Sequence, residues 1–166
     1  MAPIIVTALF GKEDGAMLDR LRREHFPPER NHLAAHLTMF HHLAPELAPE
    51  LKQRLTASTR NQPAPQAWLA SVLNIGRGVA LRIESPDLEA IRGDLAEAFA
   101  SVLIPQDRAG WRPHVTIQNK VEPATAKALH ATLSANFARR PLAITGLASW
   151  WYRGGPWEPL SRHMFA

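Results

Sequence analysis

Two stretches decide how this chain folds: Asn31-His-Leu-Ala-Ala-His36-Leu-Thr-Met-Phe40 and Trp111-Arg-Pro-His114-Val-Thr-Ile117. Each carries His-x-Thr followed by an apolar residue, and the two histidines lie 78 positions apart. In a strand, residues i and i+2 project from one side. His36 therefore shares a face with Thr38, and His114 with Thr116. Leu37, Met39, Val115 and Ile117 occupy the alternate positions and face a core. A third His-x-Thr, His130-Ala-Thr132, sits in a helical pattern with Ala128, Leu129, Leu133 and Phe137. There i and i+2 are about 200° apart and do not converge on one ligand.

Working outward, the chain repeats one order of elements. Residues 4–75 read strand, helix, strand, helix, strand, and residues 79–152 read the same. In the first half the strands are Pro3–Phe10, Ala35–Leu43 and Ala67–Ile75, and the helices Glu13–His25 and Pro45–Thr59. Gly76-Arg77-Gly78 is a tight hairpin signal leading into a strand at Val79–Glu84. Ser85 is an N-cap with Pro86 in the first helical position, opening a helix to about Leu103. A strand at Arg112–Val121, a helix at Pro123–Phe137 and strands at Leu142–Tyr152 and Pro159–Phe165 complete the pattern. The expected fold is α+β in one domain spanning 1–166. Its halves, about 1–76 and 77–166, form two lobes related by a pseudo-twofold axis, each an antiparallel sheet with flanking helices. The two polar faces would then meet in a cleft holding two imidazoles and two hydroxyls.

The composition bounds the function. The 166 residues include no Cys, which excludes disulfides, thiolate nucleophiles and Cys-bearing zinc sites. No apolar run approaches the roughly 18 residues of a membrane span, and no basic stretch opens a secretory signal. A cytoplasmic monomer with no membrane partner is expected. The net charge is +4, but it is unevenly placed. Residues 1–107 hold 11 basic and 13 acidic side chains, whereas 108–166 hold 8 and 2. A basic half beside a neutral one suits an anionic partner such as phosphate or nucleic acid.

These motifs resemble the two-histidine phosphoesterase superfamily, specifically its bacterial 2′-5′ RNA ligase or RNA 2′,3′-cyclic phosphodiesterase group. The tail Trp151-Tyr-Arg-Gly-Gly-Pro-Trp157 is similar to C-terminal hairpins of some members. The resemblance implies a cyclic phosphodiesterase that needs no cofactor or metal and acts on RNA ends or nucleotide cyclic phosphates, with reversible ligation as a further activity. It implies His114 as the base that activates water, His36 as the acid, and Thr38 and Thr116 as phosphate ligands. Two imidazoles, one neutral and one protonated, can make both proton transfers.

Five neighbours join the candidate substrate contacts. Phe40 continues the face of His36 and Thr38, placed to stack on a nucleobase. Lys120 continues the face of His114, and Arg112, held extended before Pro113, points the same way. Arg153 and Trp157 belong to the C-terminal hairpin. Two other classes compete with this assignment. One is a basic, non-catalytic RNA-binding module. The other is a His-ligated metal-dependent phosphoesterase, suggested by His25, His32, His36, His41 and His42 within eighteen residues. The zinc-protease pattern requires Glu after the first His, where Leu33 stands, and no Gly-rich phosphate loop is present.

Overall fold

The computed structural model describes residues 2–166. Eight strands and five α-helices follow in chain order: β1 (Ile4–Phe10), α1 (Lys12–His25), β2 (Leu37–Leu43), α2 (Ala48–Thr59), β3 (Trp68–Asn74), β4 (Val79–Glu84), α3 (Pro86–Ala98), α4 (Pro105–Arg108), β5 (His114–Gln118), α5 (Pro123–Asn136), β6 (Arg140–Pro141), β7 (Ile144–Trp151) and β8 (Glu158–Met164). They build two four-stranded antiparallel sheets, ordered β2-β1-β7-β8 and β5-β4-β3-β6. The architecture is α+β with two lobes. No helix of the described residues is long and apolar enough to cross a membrane.

The two sheet orders correspond strand for strand, but the lobes do not follow the sequence halves. The third strand of the first half, β3, pairs with β4, and the third long strand of the second half, β7, which follows the two-residue β6, pairs with β1. Each half lends a strand to the other's sheet. The expectation that each half folds as its own lobe is corrected by this exchange. Helices cross over as well, since α1, which follows β1, lies against β5.

Local signals explain most element ends. Ser85 Oγ accepts from the Leu88 N–H at 3.1 Å, capping α3 as the sequence predicts. That helix stops at Ala98 rather than near Leu103; a 3-10 turn follows at Ala100–Val102. The β3–β4 hairpin turns at Gly76, whose φ of 95° favours glycine. At Gly78 an added Cβ would collide with the Gln118 carbonyl, so the hairpin can close onto β5 only with glycine there. Strand β5 is shorter than the expected Arg112–Val121. Pro113 precedes its start with no N–H to donate, and beyond its end Lys120 turns the chain at φ 63°.

Both motif strands carry a β-bulge at the same place. In the first sheet Thr7 faces Thr38 and Val6 faces Phe40, leaving Met39 as the extra residue. In the second, Ala80 faces Thr116 and Val79 faces Gln118, leaving Ile117. A bulge reverses the in–out alternation beyond it, and Phe40 and Gln118 are accordingly buried, at 0% and 4% exposure. One continuous core joins both sheets, with Ile4, Val6, Leu37, Met39 and Phe40 from one and Leu69, Leu81, Ile83 and Val115 from the other. Each such buried side chain contributes about 1.5–3 kcal/mol relative to exposure.

Candidate active site

A cleft of about 440 Å³ between the sheets is lined by His36, Thr38, His114 and Thr116, together with His41, Arg92, Gln106, Gly110, Trp111, Arg112 and Trp157. His36 immediately precedes β2 and His114 opens β5. Their rings are anchored alike. The His36 Nδ1–H donates to the Ala34 carbonyl at 2.8 Å, and the His114 Nδ1–H donates to the Arg112 carbonyl at 2.7 Å. A carbonyl only accepts, so each anchor fixes the proton on Nδ1 and leaves Nε2 to gain or lose one. Two imidazoles with working Nε2 atoms thus share one cavity, with two threonine hydroxyls beside them.

Hydrogen bonds between the two sequence halves hold the motif strands in place. Arg22, buried on α1, donates from Nε to Asn31 Oδ1 and the Leu33 carbonyl, and from Nη1 to the Thr116 carbonyl at 2.9 Å. Arg92, buried on α3, donates from Nε to the Met39 carbonyl at 3.1 Å and from Nη2 to the Asp107 carbonyl at 2.7 Å. Each guanidinium lies over a phenylalanine ring, Arg22 over Phe26 and Arg92 over Phe40. The Trp111 Nε1–H donates to the Thr38 carbonyl at 3.0 Å. Each motif strand is therefore held by an arginine from the other half of the sequence.

The electrostatics are one-sided. Among the described residues, none lining the cleft is Asp or Glu. Burial lowers the His36 pKa from its ordinary value; the Ala34 carbonyl opposes this, while Arg22, His114 and His41 add to it through charge repulsion. Burial likewise lowers the Arg22 and Arg92 pKa values, with Asp19 and Asp107 respectively opposing. No three His, Asp or Glu side chains among the described residues converge to hold a metal ion.

The 2′-5′ RNA ligase superfamily model matches residues 11–156. The chain belongs to that superfamily. Solved structures of similar fold include Escherichia coli LigT complexed with 3′-AMP, with a TM-score of 0.67 at 19% identity, covering 99% of this chain and 98% of LigT. A phosphoesterase crystal structure has a TM-score of 0.64 at 18% identity, covering 100% and 99% of the two chains. A Thermus thermophilus protein has a TM-score of 0.62 at 15% identity, covering 98% and 97%. At these identities the likeness is one of fold. No curated protein sequence matches the chain.

Within this superfamily member, the cleft gathers six of the nine residues singled out from sequence: His36, Thr38, Arg112, His114, Thr116 and Trp157. Trp157 sits edge-on to His36, with ring centroids 4.8 Å apart. The other three lie elsewhere. Phe40 is wholly buried beneath Arg92, because the Met39 bulge takes it off the His36 face. Lys120 is exposed in the turn after β5, where the chain leaves the strand before that side chain can reach the cleft. Arg153 is exposed and paired with Glu158, a carboxylate five residues on that holds it at the hairpin. The third His-x-Thr is on α5, with the His130 ring against the Val72 carbonyl.

Five lining residues were not among the candidate substrate contacts: His41, Arg92, Gln106, Gly110 and Trp111. His41 reaches the cleft through the same bulge that removes Phe40. Trp111 had a visible signal, since it stands three residues before His114 in the quoted motif. Arg92 had none, being one of several polar residues on a helix.

Proposed function

We propose that this chain is a metal-independent RNA 2′,3′-cyclic phosphodiesterase of the 2′-5′ RNA ligase type, which opens the cyclic ester to a 2′-phosphomonoester. The observation that supports it best is the pair of His-x-Thr motifs on one cavity, each ring tied through Nδ1 and presenting Nε2. That E. coli LigT is found with 3′-AMP supports a nucleotide in this place.

In the reaction, water attacks phosphorus while His114 Nε2 accepts its proton. The bond from phosphorus to the ribose 3′ oxygen breaks, and that oxygen takes the proton from His36 Nε2. Thr38 and Thr116 donate to the non-bridging oxygens, where charge accumulates. The acid role falls to His36 because of what lies beside it. A second, mainly apolar pocket of about 380 Å³ lies beside His36 and Trp157 and is also lined by Phe10, Leu33 and Trp150. It suits the nucleoside carried by the leaving oxygen, which places that oxygen next to His36. Burial in the cleft holds His36 towards its neutral form. A phosphodiester anion between the imidazoles supplies the opposing charge that keeps the proton on.

The test is turnover of 2′,3′-cyclic mononucleotides and short RNAs with cyclic ends in EDTA, with the product phosphomonoester identified. A 2′-phosphate, formed with a bell-shaped pH–rate profile, is expected. The limb of kcat/KM reporting His36 should lie below pH 6.5, the ordinary histidine value. Activity lost with chelator and restored by zinc would contradict the reading, as would RNA binding without turnover.

A further inference from the structure

A third imidazole stands in the cleft, and the proton transfers do not use it. The His41 Nδ1–H donates to Asp107 Oδ1 at 3.0 Å, and the Asp107 side chain is fully buried. The same carboxylate accepts from the backbone N–H of His41 at 2.9 Å and of His42 at 3.0 Å. Burial pushes the Asp107 carboxyl up, but the hydrogen bonds from the His41 ring and the two N–H groups outweigh it and hold it below the usual carboxylate value. The ring is therefore fixed through Nδ1, as His36 and His114 are, and its Nε2 makes no protein hydrogen bond among the described residues.

Around it are further unused donors. Arg92 spends Nε and Nη2 on the Met39 and Asp107 carbonyls, while its Nη1 has no protein partner among the described residues. Arg112 is exposed on the cleft wall, and the Gln106 amide joins them. One phosphoryl group engaged by His36, Thr38, His114 and Thr116 leaves these donors free. No carboxylate among the described residues faces them across the cleft. The apolar pocket beside His36 contains none of them, so the cleft is chemically polarised from one end to the other.

We propose that His41, Arg92 and Arg112, with Gln106, form a second anion subsite that takes the phosphoryl group on the ribose 5′ side of the nucleotide whose cyclic phosphate lies between His36 and His114. The proposal rests on the reading of that pair as the phosphate site. Asp107 is the positioning residue that orients the His41 ring. The second anion has two sources, the internal phosphodiester of an RNA end or the terminal 5′-phosphate of a mononucleotide, and the chemistry at the subsite is the same.

Calorimetric titration with adenosine 2′-monophosphate, adenosine 2′,5′-bisphosphate and a diadenosine ending in a 2′-phosphate tests it. The bisphosphate, the dinucleotide, or both should bind about tenfold tighter than the monophosphate. A gain for the dinucleotide alone assigns the subsite to RNA, and a gain for the bisphosphate alone assigns it to a free 5′-phosphate. In His41→Gln and, separately, in the exposed-site variant Arg112→Gln, that advantage should shrink to about twofold or less. Equal affinities in the unmodified protein overturn the proposal, as does a loss in both variants that is the same for all three ligands. Selective binding without turnover of any cyclic phosphate removes the hydrolase reading and keeps the subsite. Turnover with no preference for a second phosphate does the reverse.

Discussion

The two motif strands, β2 and β5, share a frame and differ in what is fitted to it. Both rings donate from Nδ1 to the carbonyl two residues back, and both strands bulge one residue after the threonine. Both accept a hydrogen bond from an arginine of the other sequence half, Arg92 for β2 and Arg22 for β5. Beyond the bulge they part. The residue that turns inward is Phe40 in β2 and Gln118 in β5. The next one is His41, held by Asp107, in β2, and Asn119, just past the end of β5, whose side chain accepts from the Lys120 N–H. His36 is half-buried against Trp157, whereas His114 is exposed. A symmetric centre suits a phosphoryl group with equivalent oxygens, and asymmetric flanks give the rest of a substrate only one direction to lie.

The centre should behave symmetrically under substitution. His36→Ala and His114→Ala should each reduce turnover of a cyclic nucleotide by roughly 10²–10⁴-fold. Thermal melting should stay close to that of the unmodified protein. A variant that keeps a tenth of the activity would remove its histidine from the proton transfers.

The flanks should not. Phe40→Ala leaves a cavity under Arg92 and should cost about 3–5 kcal/mol in denaturant unfolding. At the equivalent place in β5, Gln118 Oε1 is buried without a hydrogen-bond partner among the described residues. Gln118→Leu should therefore be neutral or stabilising by up to about 1 kcal/mol. A large loss there would mean that a partner satisfies the amide.

Asp107 serves β2 alone. Asp107→Asn should destabilise by about 1–3 kcal/mol at neutral pH. Its carboxyl sits below the ordinary value of 3.8 in the folded protein. Its stabilisation is thus complete above that value and fades as pH falls below it. The gap in melting temperature between variant and unmodified protein should narrow over the same acid range. A gap independent of pH would assign the loss to packing.

The sequence made the strands, the Gly76–Gly78 hairpin, the Ser85 cap and the His-x-Thr pairing legible, because each depends on neighbours within a few residues. The exchange of β3 and β7 was not legible. Both are apolar and locally indistinguishable from strands that stay at home, and partner choice is settled by long-range packing. The bulges at Met39 and Ile117 were equally hidden, since a strand's alternation carries no mark of where it slips. The slip at Met39 buries Phe40, which alternation assigns to the His36 face, and brings His41 to the cleft. Asp107 lies on the four-residue helix α4, too short to carry a period, although Pro105 at its start was a usable signal.

The central claim is that the imidazoles at 36 and 114 meet one phosphoryl group. Nitrogen-15 NMR of the histidine rings during titration with adenosine 2′-monophosphate reads this directly. The Nε2 resonances of His36 and His114 should shift together, with one dissociation constant and one equivalent of nucleotide. Movement of one ring alone, or separate constants for the two, would contradict the shared site.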